Sequence, residues 1–156
     1  MSASSQQARA LAFLRIAVGL LFLIFAQYKL RSTHFIRGAM ANYIGHFIQG
    51  GCYPFMRSFL KNIILPHAVF FGALVGITEL LIAISLISGV LVRWASLGGL
   101  AMMLLYLFSA NYPGANAPLW EYFGASLDHS VLALCFFTFL IGEPDAVWAL
   151  RFGNTR

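Results

Sequence analysis

Four apolar stretches, each nearly free of charged side chains, constrain the fold of this 156-residue chain more than any other feature. They cover about residues 9–28, 68–92, 95–111 and 127–142. A helix needs roughly 20 residues to cross the hydrocarbon core of a bilayer, so the first two stretches are long enough and the last two lie near the short limit. We therefore predict an all-α integral membrane protein, a bundle of four transmembrane helices with both termini on one side.

The composition excludes a water-soluble enzyme. Hydrophobic residues make up 60% of the chain and charged residues only 10%, whereas about a quarter of a soluble domain is charged. The net charge of +5 is scattered along the chain, which fits contact with anionic lipid better than with nucleic acid. We expect a single domain over residues 1–156, with membrane lipids and no nucleic acid among its partners.

The connection between the first two spans is itself patterned as helix. Apolar residues recur every three to four positions over residues 35–48 and again over 55–64, with Arg37, Arg57 and Lys61 on the opposite faces. This pattern predicts two amphipathic helices that lie in the membrane interface or pack over the ends of the bundle. Both a covering role and a role in a binding groove stay open at this point.

The basic residues divide almost evenly between the two sides of the predicted bundle. The connection over residues 111–128 contains no Lys or Arg, whereas the short loop after the second span carries Arg93. Because short cytoplasmic loops are enriched in basic residues, we expect a multi-pass protein of the cell membrane with cytoplasmic termini.

Two ionisable residues, Arg15 and Glu79, fall inside predicted spans. Each costs roughly 2.5–3.5 kcal/mol on insertion scales, so each needs a partner or a function. A rise of 1.5 Å per residue places Arg15 about 9 Å and Glu79 about 18 Å below the same face of the bundle. Consecutive antiparallel helices are normally neighbours, so we predict that Arg15 and Glu79 form an ion pair.

Further candidate residues surround this pair. By the same counting, Tyr106 and Thr138 lie near the middle of the bilayer, while Gly19 and Gly76 allow close approach of helices. With Trp94 these residues are the candidate substrate- or lipid-binding set. Three interpretations remain: a structural ion pair that fixes helix register, a proton-relay carboxylate beside a lipophilic quinone, or a passage for ions or small solutes.

The chain lacks the motifs of most catalytic sites. Cys52 and Cys135 lie far apart with no CxxC, and no two histidines have the spacing of metal ligands on a helix. Phosphate-binding glycine loops and nucleophile–base sets are also absent, so we predict no metal site and no intrinsic cofactor. The sequence leaves open whether the protein is an enzyme.

Asp128 and His129 stand together at the start of the fourth predicted span. An aspartate at that position is typical of a helix N-cap with a polar neighbour. The alternative is a point at which protons enter the protein.

The stretch GITELLIAISLISGVLVRWASL, residues 76–97, resembles the signature of the DoxX family of small four-helix membrane proteins. The matching positions are Gly76, Glu79, Gly89 and Arg93, and in the first span Arg15, Gly19 and Lys29. The resemblance covers about two-thirds of the chain. It departs before Lys29, where the family often has His-Gly and this chain has Phe25-Ala26.

The resemblance implies a bacterial or archaeal plasma-membrane protein. Some relatives are subunits of quinone-linked oxidoreductases, including thiosulfate:quinone oxidoreductase. The leading hypothesis is therefore a small subunit of a larger, redox-linked membrane complex, with other membrane-protein subunits and a quinone as partners and with Arg15 and Glu79 as its polar centre. The alternatives are a structural subunit that docks partner helices, lipids or pigments without catalysis, and a membrane enzyme that acts alone.

Overall fold

The computed structural model describes residues 3–124 and 127–150. Within these ranges all regular secondary structure is helical. The α-helices are α1 (Ala3–Arg31), α2 (Met40–His46), α3 (Pro54–Phe59), α4 (Ala68–Ser88), α5 (Val92–Ala110), α6 (Glu121–Gly124) and α7 (Leu127–Ile141). Three single π-helical turns lie between α1 and α4, at Phe35–Ala39, Phe47–Gly51 and Leu60–Ile64. One 3₁₀ turn, Leu65–His67, directly precedes α4.

Three of the described helical segments are long and apolar enough to cross a membrane. They are Ser5–Arg31, Pro54–Ser88 and Val92–Ala110. Helix α7, with 15 residues, is apolar but shorter than a typical span. The prediction of an all-α membrane protein is confirmed, with three helices that meet the length requirement.

Helices α1, α4, α5 and α7 share one hydrophobic core. Phe22 of α1 and Phe136 of α7 pack edge to face with ring centroids 5.2 Å apart. Gly99 of α5 lies directly against this ring, and a Cβ atom there would overlap Phe136. The buried core residues are Val18, Phe22, Ile82, Ala83, Leu86, Val92, Met103, Ala133, Phe136 and Phe139.

Helix α4 ends earlier than the sequence predicts, at Ser88 instead of near residue 92. Gly89 takes a left-handed conformation with φ 78°, and its N–H donates a hydrogen bond of 2.9 Å to the carbonyl oxygen of Ser85. This is a common way for a helix to end. Leu91 is also left-handed, with φ 56°, so two such residues turn the chain sharply into α5.

The connection between α1 and α4 forms part of the bundle wall. Ile36 and Met40 pack against Gly72 of α4, where a Cβ atom would lie 3.4 Å from the Cβ of Met40. The backbone N–H of Tyr53 donates a 2.9 Å hydrogen bond to the carbonyl of Phe108 in α5. The buried residues of this region form a second core cluster, Ile44, Cys52, Met56, Leu60 and Ile64.

The segment after α7 folds back on the turn between α4 and α5. The N–H of Leu150 donates a 2.8 Å hydrogen bond to the carbonyl of Ser88. Ala149 lies close to Gly89, so a side chain at Gly89 would collide with it. This segment therefore covers one end of the bundle, close to Arg15.

Candidate functional site

The buried carboxylate of Glu79 forms an ion pair with Lys29 of α1. The side chain of Glu79 is 2% exposed and that of Lys29 is 18% exposed. Helix α1 approaches α4 closely here, because Gly76 leaves room for Leu30, whose Cδ2 atom would lie 2.8 Å from a Cβ at that position. The predicted ion pair of Glu79 with Arg15 is therefore wrong.

The register of α1 against α4 explains why Lys29, and not Arg15, is the partner of Glu79. Gly19 faces Leu86 and Ile87, which brings Arg15 to the level of Gly89. Glu79 precedes Gly89 by ten residues, or about 15 Å along the helix. The predicted depths failed because they place the start of α1 level with the end of α4, whereas α1 begins well beyond that end and Arg15 itself is level with Gly89.

Arg15 lies near the middle of α1, level with the end of α4, and is fully buried. Its Nη2 donates a 2.8 Å hydrogen bond to the carbonyl oxygen of Trp148. Among the described residues, its Nε and Nη1 atoms have no hydrogen-bond partner. Arg15 thus holds the segment after α7 and takes no part in the site around Glu79.

Tyr106 of α5 completes the site around Glu79. Its hydroxyl donates a 3.0 Å hydrogen bond to Oε1 of Glu79, and Nζ of Lys29 lies 3.5 Å from the same hydroxyl. The ammonium of Lys29 also lies 5.3 Å from the centre of the Tyr106 ring, within the range of a cation–π interaction. We call Lys29, Glu79 and Tyr106 the triad; among the described residues, Oε2 of Glu79 accepts no hydrogen bond.

His129 of α7 lies next to the triad. Its ring packs edge to face on Tyr106 with centroids 5.5 Å apart. Its Nδ1 lies 3.3 Å from the amide oxygen of Asn111 and 3.8 Å from Oδ1 of Asp128. The side chain of Asp128 is 65% exposed, so the histidine stands between an exposed carboxylate and the buried one.

Thr138 and Trp94 lie away from the triad. Thr138 is exposed, and its hydroxyl donates a 2.8 Å hydrogen bond to the carbonyl of Leu134 in its own helix. Its predicted place beside Tyr106 is wrong, because α5 and α7 run antiparallel and Tyr106 meets His129, nine residues earlier. Trp94 is 73% exposed near the start of α5.

Gly19 and Gly76 allow the close approach of α1 and α4 that the sequence predicts. Neither is among the residues that line the two cavities described next. Both glycines therefore act in helix packing, which places Lys29 opposite Glu79.

A cavity of about 370 Å³ lies on one side of the triad, between α1, α4, α5 and the connection. We call it the aromatic cavity. Its walls are overwhelmingly apolar and include Phe25, Tyr28, Phe35, Tyr43, Phe47 and Phe59. Lys29 and His129, which both contact Tyr106, form with it the main polar cluster of the lining, and Ser109 lies one helical turn from Tyr106. Phe25, Tyr28 and Tyr43 are also substantially exposed, so the cavity opens sideways between α1 and the connection.

A second cavity of about 210 Å³ lies on the other side of the triad. We call it the triad cavity. It is lined by Phe22, Phe25, Lys29, Glu79, Met103, Tyr106, Asp128, His129 and Leu132. Phe25, Lys29, Tyr106 and His129 line both cavities and so form the wall between them.

The arrangement suits an apolar ligand with one polar group. Such sites are mostly apolar, with a few placed donors or acceptors that fix orientation. Lys29 supplies N–H donors to the lining of the aromatic cavity, and behind it the Glu79 carboxylate accepts hydrogen bonds from Lys29 and Tyr106. Within residues 3–124 and 127–150, no group of three or more His, Cys, Asp or Glu side chains is placed to hold a metal ion.

The long apolar helices and their shared core define a small helical membrane protein. The DoxX family matches residues 10–111, which include about three-quarters of α1 and the whole of α4 and α5, so the chain belongs to the DoxX family. The chain has no significant match among curated proteins or among solved structures. Helix α7, with Asp128 and His129, lies beyond the matched residues.

Proposed function

We propose that this protein is a quinone-binding subunit of a larger redox-linked complex in the plasma membrane. The observation that carries the proposal is the aromatic cavity, which ends at Lys29, Tyr106 and His129 with the carboxylate of Glu79 directly behind. The aromatic walls would hold the quinone ring and the first part of its tail.

The polar end of the cavity matches the chemistry of a quinone. A quinone carbonyl accepts hydrogen bonds, and the Lys29 ammonium has three N–H donors, of which the bond to Glu79 uses one. The single O–H of Tyr106 is already donated to Glu79, so Tyr106 would orient the pair and Lys29 would bind the carbonyl. Reduction to the quinol takes up two protons and two electrons. Glu79 would deliver one proton to the ring, take up another from water and deliver the second, while the two electrons come from a partner subunit that carries a redox centre.

The shared core also supports a fourth crossing of the membrane. Helix α7 packs into the same core as the three longer helices, and we propose that it spans the bilayer as a short, steep helix. The helices of the connection would then lie partly in the interface on the side where α5 ends. Cytoplasmic termini remain part of this proposal.

Ligand binding by the aromatic cavity is tested by filling it. Val75 lines the cavity and Leu74 points away from it, so Val75→Trp and Leu74→Trp make a matched pair in the purified protein in lipid nanodiscs. We expect a short-chain ubiquinone to bind the wild type and Leu74→Trp alike, and to bind Val75→Trp at least tenfold more weakly. Equal affinity for both variants would contradict the proposal.

A structural role without catalysis is the second candidate. Large apolar side chains remain exposed around the bundle, among them Phe13, Phe70, Leu81, Trp94 and Leu134. These surfaces suit lipid tails or the helices of partner subunits. This candidate is favoured by three results together. The Glu79→Gln variant assembles with its natural partners, the purified complex contains no quinone, and the turnover of that complex equals that of the wild-type complex.

A further inference from the structure

We propose that the triad cavity is a water-filled passage through which protons reach Glu79 from the aqueous face at Asp128. The inference rests on the proposed quinone function for its purpose, because a carboxylate that protonates a quinone must itself be resupplied with protons. The passage would let Glu79 exchange protons without opening the aromatic cavity to water.

The two ends of the cavity differ in exposure. Asp128, at the start of α7, lines the cavity and is mostly exposed, whereas Glu79 lines it and is almost completely buried. The cavity therefore joins an aqueous carboxylate to a buried one.

The cavity has both the room and the polar groups that water needs. A buried water requires at least about 10–15 Å³ of accessible volume and two to four polar partners. The cavity volume of about 210 Å³ is large enough for several. Oε2 of Glu79, which accepts no hydrogen bond from the described residues, needs such a partner.

The side chains along the cavity allow a proton to move in steps. His129 stands between Asp128 and Tyr106, and an imidazole can accept a proton on one nitrogen and release one from the other. A proton from water at Asp128 would pass by His129 and the enclosed waters to Glu79. The proton would arrive at Oε2 of Glu79, the carboxylate oxygen that accepts no hydrogen bond from the described residues.

Within residues 3–124 and 127–150, the ionisable groups that face the cavity all belong to this chain of contacts. They are Lys29 from α1, Glu79 from α4, Tyr106 from α5 and Asp128 and His129 from α7. The apolar part of the lining is Phe22, Phe25, Met103 and Leu132. Met103 and Leu132 line the triad cavity but not the aromatic cavity, so substitutions there probe the passage alone.

Thiol reactivity tests whether water fills the cavity. In a Cys52→Ala, Cys135→Ala background in nanodiscs, Leu132→Cys reports on the cavity and Leu134→Cys, on the exposed outer face of α7, is the matched control. A small charged methanethiosulfonate reagent attacks only water-accessible thiolates. We expect Leu132→Cys to react at least tenfold faster than Leu134→Cys. Met103→Cys is a second reporter, and we expect Leu132→Trp to slow its reaction at least tenfold.

Suppose that Leu132→Cys and Met103→Cys both bind ubiquinone like the wild type but neither reacts faster than Leu134→Cys. That result would overturn the passage and leave the quinone site intact. Fast reaction in a protein that binds no quinone would overturn the proposed function and support the passage as a water-filled cavity. The background protein without added cysteines sets the baseline in both cases.

Discussion

Glu79 is paired with Lys29, fourteen residues further along α1 than the arginine that also lies buried in that helix. The two buried cations of α1 therefore have separate tasks. Lys29 balances the carboxylate between the two cavities, and Arg15 holds the segment after α7 through the carbonyl of Trp148. The substitutions below separate these tasks.

Removing one member of the Lys29–Glu79 pair is expected to destabilise the protein strongly. Lys29→Met leaves the buried Glu79 carboxylate without its counter-charge, and Glu79→Gln leaves the Lys29 ammonium beside a neutral amide. Breaking a buried ion pair in this way costs about 3–5 kcal/mol. The loss in free energy of unfolding of the double variant is expected to be smaller than the sum of the two single losses by at least about 1 kcal/mol. Denaturation in detergent measures all three. Arg93→Gln, at an exposed site in α5, is the control, and simple additivity of the two losses would contradict the pairing.

Arg15→Met is expected to release the segment after α7. The hydrogen bond to Trp148 is lost, and the neighbouring bond from Leu150 to Ser88 loses its support. Hydrogen–deuterium exchange at residues 146–150 should accelerate at least tenfold, while exchange near Glu79 stays as in the wild type. The exposed Arg31→Gln is the matched charge removal. Unchanged exchange in Arg15→Met would show that other contacts hold the segment.

Two adjacent glycines of α5 are expected to respond in opposite ways to alanine. At Gly99 a Cβ atom overlaps the ring of Phe136, whereas at Gly98 nothing lies within 4 Å. Gly99→Ala should lower the free energy of unfolding by about 1–3 kcal/mol through overpacking. Gly98→Ala should leave it unchanged or raise it by up to about 1 kcal/mol, because alanine favours helix. Thermal unfolding of the pair measures the difference, and equal effects would contradict the packing of α5 on α7.

Two residues in the turn between α4 and α5, Gly89 and Leu91, are also expected to change stability in opposite directions when they are substituted. Gly89→Ala should destabilise, because the residue has φ 78° and a Cβ atom there would lie 2.6 Å from that of Ala149. Leu91 has φ 56° and is exposed, so Leu91→Gly should stabilise by about 1 kcal/mol through relief of left-handed strain. Unfolding experiments on both variants are the check, and a loss of stability in Leu91→Gly would disagree with this conformation.

The sequence predicted which side chains are buried better than which of them meet. Apolar length and the absence of charge predicted the helices and a buried Glu79, and the glycines of α1 and α4 predicted their close approach. The partner of Glu79 could not be found by counting depth, because the count assumes that α1 begins at the level where α4 ends, and α1 in fact extends well beyond that level. Helix α1 ends beside the middle of α4, since Ile36 and Met40 continue along the wall at Gly72.

One signal in the sequence pointed to His129. Asn111 directly follows α5, and Tyr106 lies five residues before Asn111. His129 lies two residues after Leu127, the first residue of α7. Counting both from the connection they share places them at a similar level, whereas Thr138 lies eleven residues after the start of α7 and therefore much further from that connection. The rotation of each helix, which turns Thr138 outward and His129 inward, depends on packing around Phe136 and Gly99 that the pattern does not reveal.

The sideways opening of the aromatic cavity determines how a ligand would arrive. Phe25, Tyr28 and Tyr43 form the rim of that opening on the outer surface of the bundle, where acyl chains surround a membrane protein. A hydrophobic molecule would reach it by two-dimensional diffusion, with its tail still among the lipids. Occupancy then depends on the mole fraction of the ligand in the bilayer, so dilution with added lipid would empty the site while dilution with buffer would not.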